Sequence, residues 1–329
     1  MNRYSRQTVL PEIGDEGQKV LSEGQVAVIG LGGLGSVMAE VLARAGVGGL
    51  KVIDRDVLEL SNLQRQALYE EEDVGKAKAE LVKEKLSHIN SEVDVDARVI
   101  ELGAKNVEKF IGGVDIVLDA TDNMKTRFLL NDACVKNEVP WIYTSILGTY
   151  GMTMDIIPGK GPCLRCLIDT MPDPGSMETC ATAGVLFSLP RILANTAATE
   201  AVKYLVKAET RDTLLAIDIW KNDYEQINVS QRNDCLCCVE REFEYLKKED
   251  DFTTSLCGRD AVQVTPDEEI EIDLNKFVSD YGGKKIGRSL VKFEVEEHQL
   301  TLFKDGRLIV DGTDDPHKAV SIYSEYIGR

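Results

Sequence analysis

Four cysteines stand in two C-x-x-C pairs, Cys163 with Cys166 in "CLRC" and Cys235 with Cys238 in "CLCC". Paired thiolates at this spacing suit tetrahedral Zn²⁺, and four protein ligands leave no open coordination position, so the expected site is structural. A redox pair or coincidence is the lesser reading. Cys237, inside "CLCC", is a substitute candidate for the fourth ligand. Cys134 falls in a helical pattern and reads as core, while Cys257 has no assignable role.

A second concentration of chemistry begins at "VAVIGLGGLGS", Val26 to Ser36. An apolar strand runs into Gly30, Gly32, Gly33 and Gly35, and a helix-forming stretch, Val37 to Arg44, follows. Glycines in this setting permit a tight turn and let backbone N–H groups at the helix N-terminus approach a phosphate. Asp54 closes the next strand, "LKVID", about 20 residues on, where a carboxylate would hold a ribose hydroxyl. The turn alone suits NAD, FAD or ATP.

"DVLELSNLQRQ" then sets Asp56, Asn62, Gln64, Arg65 and Gln66 beside that site, although a polar surface loop would read the same way. Lys78 shares the apolar face of Val82, Leu86 and Ile89 on a helix expected to start from Asp73 as N-cap. There it must snorkel or meet an anion, and basic neighbours on a phosphate-binding edge favour the anion. "DATDN", Asp119 to Asn123, ends the fourth strand in carboxylates. Asp122 suits Mg²⁺ at a triphosphate, for which a nicotinamide site has no need, while Asp or Asn would also cap the following helix, "MKTRFLLND".

The elements that must position these residues alternate. "VAVIG", "LKVID", "VDVDARVI", "DIVLDA" and "WIYTSI" read as strands with helices between them, a rhythm that implies a parallel sheet covered on both faces. Ligands bind outside the carboxyl ends of such strands, where Gly30, Asp54 and Asp119 to Asp122 fall. After Pro158 a Gly-, Pro-, Cys- and Met-rich stretch reads as a long crossing loop. A helix from Leu189 to Val206 and strands "LLAIDIW" and "YEQINVS" follow. Beyond the charged run "LKKEDD" come "VQV", a helix from Leu274 to Tyr281, three strands and a last helix. The expected architecture is α/β: a Rossmann-like doubly wound sheet with crossing loop and zinc site over residues 1–249, and a small C-terminal α+β domain over 250–329.

Composition narrows the partners. With 38 Lys and Arg against 56 Asp and Glu, the net charge of −18 leaves no basic surface to neutralise nucleic-acid phosphates. No run of about 18 apolar residues exists to span a membrane. "MNRYSRQ" lacks a signal-peptide core, so a soluble cytoplasmic protein is expected, in which eight cysteines favour metal or thiol chemistry over disulfides.

Taken in order, "RYSRQ", "GLGGLGS", "RAGVG", "DRDVLELSNLQRQ", "DVGKAK", "DATDN", "PCLRC", "CATAGV" and "DCLCC" resemble the ThiF and MoeB adenylyltransferases, bacterial relatives of ubiquitin-activating enzymes. The resemblance covers roughly residues 2 to 240. "LCGRDAVQV" and "LTLFKDGRLIVDGT" further resemble the extension of Bacillus-type ThiF proteins. The resemblance implies ATP-dependent adenylation of the C-terminal Gly-Gly carboxylate of a ubiquitin-like sulfur carrier. It gives Gly32 to the nucleotide, Asp54 to the ribose, Arg65 and Lys78 to phosphates, and Asp122 to Mg²⁺. Arg6 matches an arginine that reaches the neighbouring subunit's site, implying a homodimer. Cys180, in "METCATAG", matches the cysteine that forms a covalent acyl link with the carrier, with a sulfurtransferase or cysteine desulfurase as a further partner. The same reaction on the molybdopterin synthase small subunit stays open. So, from other classes, do an NAD-dependent dehydrogenase and a non-catalytic carrier-binding scaffold.

Overall fold

Parallel strands buried on both faces need nearly continuous apolar runs, and the first half of the chain has them. The computed structural model describes residues 3–173, 176, 178–248, 252–255, 260–266 and 270–328. Its first sheet contains β1 (Gln25–Ile29), β2 (Gly49–Ile53), β3 (Asp94–Arg98), β4 (Ile116–Asp119), β5 (Trp141–Leu147), β6 (Tyr150–Ile156), β7 (Leu214–Asp218) and β8 (Asp223–Ile227). They lie in the order β3-β2-β1-β4-β5-β6-β7-β8. The first five run parallel, and β6, β7 and β8 are antiparallel to their neighbours.

Around this sheet run α1 (Gly14–Glu23), α2 (Gly35–Ala45), α3 (Lys78–Ile89), α4 (Val107–Ile111), α5 (Met124–Lys136), α6 (Leu164–Leu167), α7 (Cys180–Ala183) and α8 (Leu189–Leu205). Alternation along β1 divides the core. Val26 and Val28 pack with Met38, Leu42, Val82 and Leu193 on one face, while Ala27 and Ile29 pack with Phe128, Leu130 and Trp141 on the other.

Two local expectations need correction. The sequence between "WIYTSI" and Pro158 holds β6, which pairs with β5 from Trp141↔Ile156 to Leu147↔Tyr150. The alternation of Met152, Met154 and Ile156 was present, but Gly151 and Asp155 diluted it. Asp73 does not cap α3, which starts at Lys78. Gly75 stands at φ +90° and interrupts the chain, so Asp73 closes a separate 3₁₀ turn, accepting from the Glu70 N–H at 3.0 Å and pairing with Lys85 at 2.8 Å.

The second sheet is antiparallel throughout: β9 (Thr253–Ser255), β10 (Ala261–Val264), β11 (Lys284–Ile286), β12 (Leu290–Val295), β13 (His298–Phe303) and β14 (Leu308–Asp311), ordered β11-β12-β13-β14-β10-β9. One face packs against α9 (Leu274–Tyr281) and α10 (Pro316–Tyr326) through Val262, Val291, Leu300, Leu302 and Val310. The opposite face, with Ala261, Leu290, Phe303 and Ile309, meets Ala77, Val57 and Val99 of the first unit. The boundary expected at residues 249 and 250, and Cys257, lie outside the described residues. Among the described residues no helix is long and apolar enough to cross a membrane.

Candidate functional site

Register brings the glycine turn and the carboxylates level. Ile29 stands opposite both Ile53 and Asp119, so Gly30, Asp54 and Ala120 follow side by side at the carboxyl ends of β1, β2 and β4. The chain leaves β1 toward β2 on one side while β4 lies on the other, which makes this the switch point where doubly wound sheets open a ligand crevice. Close approach explains the glycines: a Cβ on Gly30 (φ +84°) would lie 2.9 Å from the Ala120 carbonyl oxygen, and one on Gly35 only 1.8 Å from that of Gly30. By contrast a Cβ on Gly32 would meet only the Gln66 amide, at 3.5 Å.

Asp54 ties two segments together. Its Oδ2 accepts from the Leu31 N–H at 2.6 Å and its Oδ1 from the Asp56 N–H at 2.7 Å, while burial pushes its carboxyl up. Lys78, the first residue of α3, is buried and donates from Nζ to Asp56 Oδ2 at 3.2 Å. Burial opposes its charge, but Asp56, then Asp54 and Asp122, outweigh it and hold the ammonium above its ordinary value. Asp56 in turn is held low against burial by Lys78 and Arg55. Lys78 thus meets its anion in the protein itself.

Around this pair, Asn62 closes a 3₁₀ turn by accepting from the Glu59 N–H at 3.2 Å. Gln66 is buried, and its Oε1 has no hydrogen-bond partner among the described residues. Arg65 donates to the Ser61 carbonyl at 3.1 Å and lines a cavity with Gln64, Phe187 and Arg191. Asp122 is exposed, and Asn123 caps α5 by accepting from the Thr126 N–H at 2.8 Å.

Cys180, at the start of α7, is half-buried, with Sγ 3.8 Å from the Ile146 carbonyl oxygen. Burial, then Asp122, push its thiol up, while Arg65 and Arg127 pull it down. Arg6 stands apart. It is exposed, and its neighbours Tyr4 and Gln7 contact Gly46 and the Ala45 carbonyl at the C-terminal end of α2, about 16 Å along the helix from the glycine turn.

Sequence reasoning missed two basic residues. Arg191 was hidden as one polar position on an apolar helix. Arg127 is buried, bonds the Thr121 and Thr144 carbonyls at 2.5 and 3.3 Å, lies 3.4 Å from Asp119 and stacks over Tyr143 at 5.3 Å. An arginine one turn inside "MKTRFLLND" was the available signal.

The cysteine cluster forms where the chain leaving β6 meets the chain after β8. The Sγ atoms of Cys163, Cys166, Cys235 and Cys238 all lie within 4.8 Å of one another, with Cys163 to Cys235 at 3.6 Å and Cys166 to Cys238 at 3.5 Å. Four Zn–S bonds of about 2.3 Å place tetrahedral sulfurs about 3.8 Å apart, so the donor set and spacing fit Zn²⁺. Cys237 is instead bonded by Asn131 Nδ2 at 3.1 Å, and Asn131 Oδ1 accepts from the Leu164 N–H at 2.9 Å.

The glycine turn and the carboxylates at the strand ends, gathered at the switch point of a doubly wound sheet, define the class as a nucleotide-binding α/β fold. The sequence pattern of the ThiF family matches residues 4–238, and the chain belongs to that family. It is 38% identical to the sulfur carrier protein ThiS adenylyltransferase of Bacillus subtilis, with 99% of each chain covered. It is 40% identical to the SAMP-activating enzyme E1 of Haloferax volcanii over 73% of this chain and 89% of that one. Among solved structures, Escherichia coli MccB with ATP shares the fold at a TM-score of 0.64 and 24% identity, covering 73% of this chain and 75% of that one.

Proposed function

We propose that this chain uses ATP to adenylate the C-terminal Gly-Gly carboxylate of a ubiquitin-like sulfur carrier of the ThiS type, in thiamine thiazole synthesis. The observation that carries the reading is the buried Lys78, paired with the exposed Asp56 beside the glycine turn, in a member of the ThiF family. The carboxylate oxygen attacks the α-phosphorus, the bond to the bridging oxygen breaks, and pyrophosphate leaves. The attacking group is already ionised at neutrality, so the protein's task is alignment and charge stabilisation rather than proton removal.

Asp54 is assigned to the ribose, and Lys78 and Arg65 to the phosphates. Asp122, an exposed hard oxygen donor, would hold Mg²⁺, which supplies positive charge against the phosphates. Arg6, at the far end of α2 from its own turn, is assigned to a neighbouring copy's site in a homodimer. The four cysteines would hold a structural Zn²⁺. Cys180 is assigned the later acyl link with the carrier, with a sulfurtransferase or cysteine desulfurase as sulfur donor.

Carrier-dependent ATP–pyrophosphate exchange tests this, run with a ThiS-type carrier, with a molybdopterin synthase small subunit and with each carrier lacking its last glycine. Exchange should follow the intact ThiS-type carrier. Exchange with the molybdopterin subunit alone would reassign the substrate, and none with either would sink the reading.

A further inference from the structure

The second sheet touches the proposed nucleotide edge at the two places where it is built. Arg307, only 1% exposed, donates from Nη1 to the Arg55 carbonyl and from Nη2 to the Val99 carbonyl, each at 3.3 Å. Asp305 Oδ2 accepts from its Nε at 2.7 Å, and the guanidinium stacks over Phe303 at 4.3 Å. It therefore holds the peptide immediately before Asp56. A parallel link runs through Gln263, which donates to Glu101, the partner of Arg55. At the other member of the pair, Glu80 lies in the first turn of α3, two residues after Lys78, and accepts from the Arg288 N–H at 3.1 Å and from the Ser289 hydroxyl at 2.5 Å.

Each half of the Lys78–Asp56 pair is thus fixed by a side chain or backbone group from the C-terminal unit. A buried guanidinium with two carbonyl acceptors in another unit is costly to leave unpaired, so these bonds define one position of the loop rather than several. The charge of Arg307 also contributes to holding Asp56 ionised.

We propose that the second sheet is a positioning clamp for ATP, in which Arg307, acting through the Arg55 carbonyl, sets Asp56, while the Glu80 contacts set Lys78. Arg307 touches no substrate in this scheme and is a positioning residue. The inference rests on reading this edge as the ATP site. A clamp of this kind acts through the nucleotide.

The test compares Arg307→Met, Arg307→Lys and Glu80→Ala in the full-length protein by exchange kinetics and amide hydrogen exchange. Arg307→Met should raise KM for ATP about tenfold and lower kcat with it, because Lys78 is also a transition-state charge partner, while the carrier KM changes by less than about twofold. Arg307→Lys should recover part of the loss. Amides of residues 54–58 should exchange faster while those of 300–302 and 308–310 keep their protection. An unchanged ATP KM in folded Arg307→Met would overturn the clamp, as would a rise shared equally by ATP and carrier with protection lost throughout the second sheet. Should Arg307→Met not fold, Glu80→Ala carries the test with an expected rise of about threefold, and no rise overturns the proposal. If the parent protein shows no exchange with any carrier, the adenylation reading falls, and the hydrogen-exchange comparison still decides whether Arg307 orders the loop.

Discussion

The cysteine cluster and the glycine-turn edge arrange their chemically capable groups differently. At the cluster four thiols face one another, and the neighbouring amide of Asn131 is used on both sides, toward Cys237 and toward the Leu164 N–H. At the turn the set is left open. Lys78 has a side chain 7% exposed but is paired with an Asp56 that is 52% exposed, and Gln66 Oε1 has no hydrogen-bond partner among the described residues. A closed donor set suits a group that never leaves, and an open one suits a molecule that comes and goes. Helix α5 joins the two, with Asp122 and Asn123 at its start and Asn131 about 12 Å further along.

The sharpest way to break this contrast is at Lys78. Lys78→Ala should lower carrier-dependent exchange by roughly a thousandfold, as removal of a transition-state charge partner does, in a protein that still folds. Exchange near the parent rate in the folded variant would show the open set to be structural after all. Cys163→Ser should do the reverse. Bound zinc, measured by elemental analysis, should fall, and stability to denaturant should drop by about 3 kcal/mol or more because metal binding is linked to folding. A folded, metal-poor variant of parent stability would remove the cluster's structural role.

Cys180→Ala refines the open side. Its exchange should stay within about twofold of the parent, since adenylation needs no thiol, while any covalent adduct with the carrier disappears from intact-protein mass spectra. A surviving adduct would move the acyl link to another cysteine. A pH-dependent effect is expected outside both regions, at Asp155, whose carboxyl burial pushes up to about 7 beside Glu200 and Arg211. The folded state keeps a proton there that the unfolded state has released, so this group's contribution is full below about pH 4 and is lost as pH rises to about 7. Relative to the parent, Asp155→Asn should therefore gain stability across that interval in urea unfolding. Parallel curves would assign the proton elsewhere.

Short-range spacing made much of this molecule legible. The C-x-x-C pairs, the glycine turn with Asp54 and the apolar strands all lie within single segments, and the helix expected at Leu274 to Tyr281 spans those residues. Contacts between distant segments were not legible in the same way. Nothing near Arg307 in sequence points to the Arg55 carbonyl, and nothing near Cys237 points to its bond with Asn131, more than a hundred positions away. Asp73 was misread because the chain turns through one left-handed glycine, Gly75, and the helix starts four residues later than an aspartate cap suggests.

The second sheet has one further consequence. Both its faces are dry: α9 and α10 cover one, and Ala77, Val57 and Val99 cover the other. Cutting the chain after Lys248 would not return a smaller catalyst with a clean surface. It would bare an apolar patch bordering Lys78 and Asp56, and the shortened protein would tend to associate through that patch. An appendage seated in this way has become part of the solubility of the unit it rests on, so its worth to the chemistry can be read only by changing single side chains at the contact.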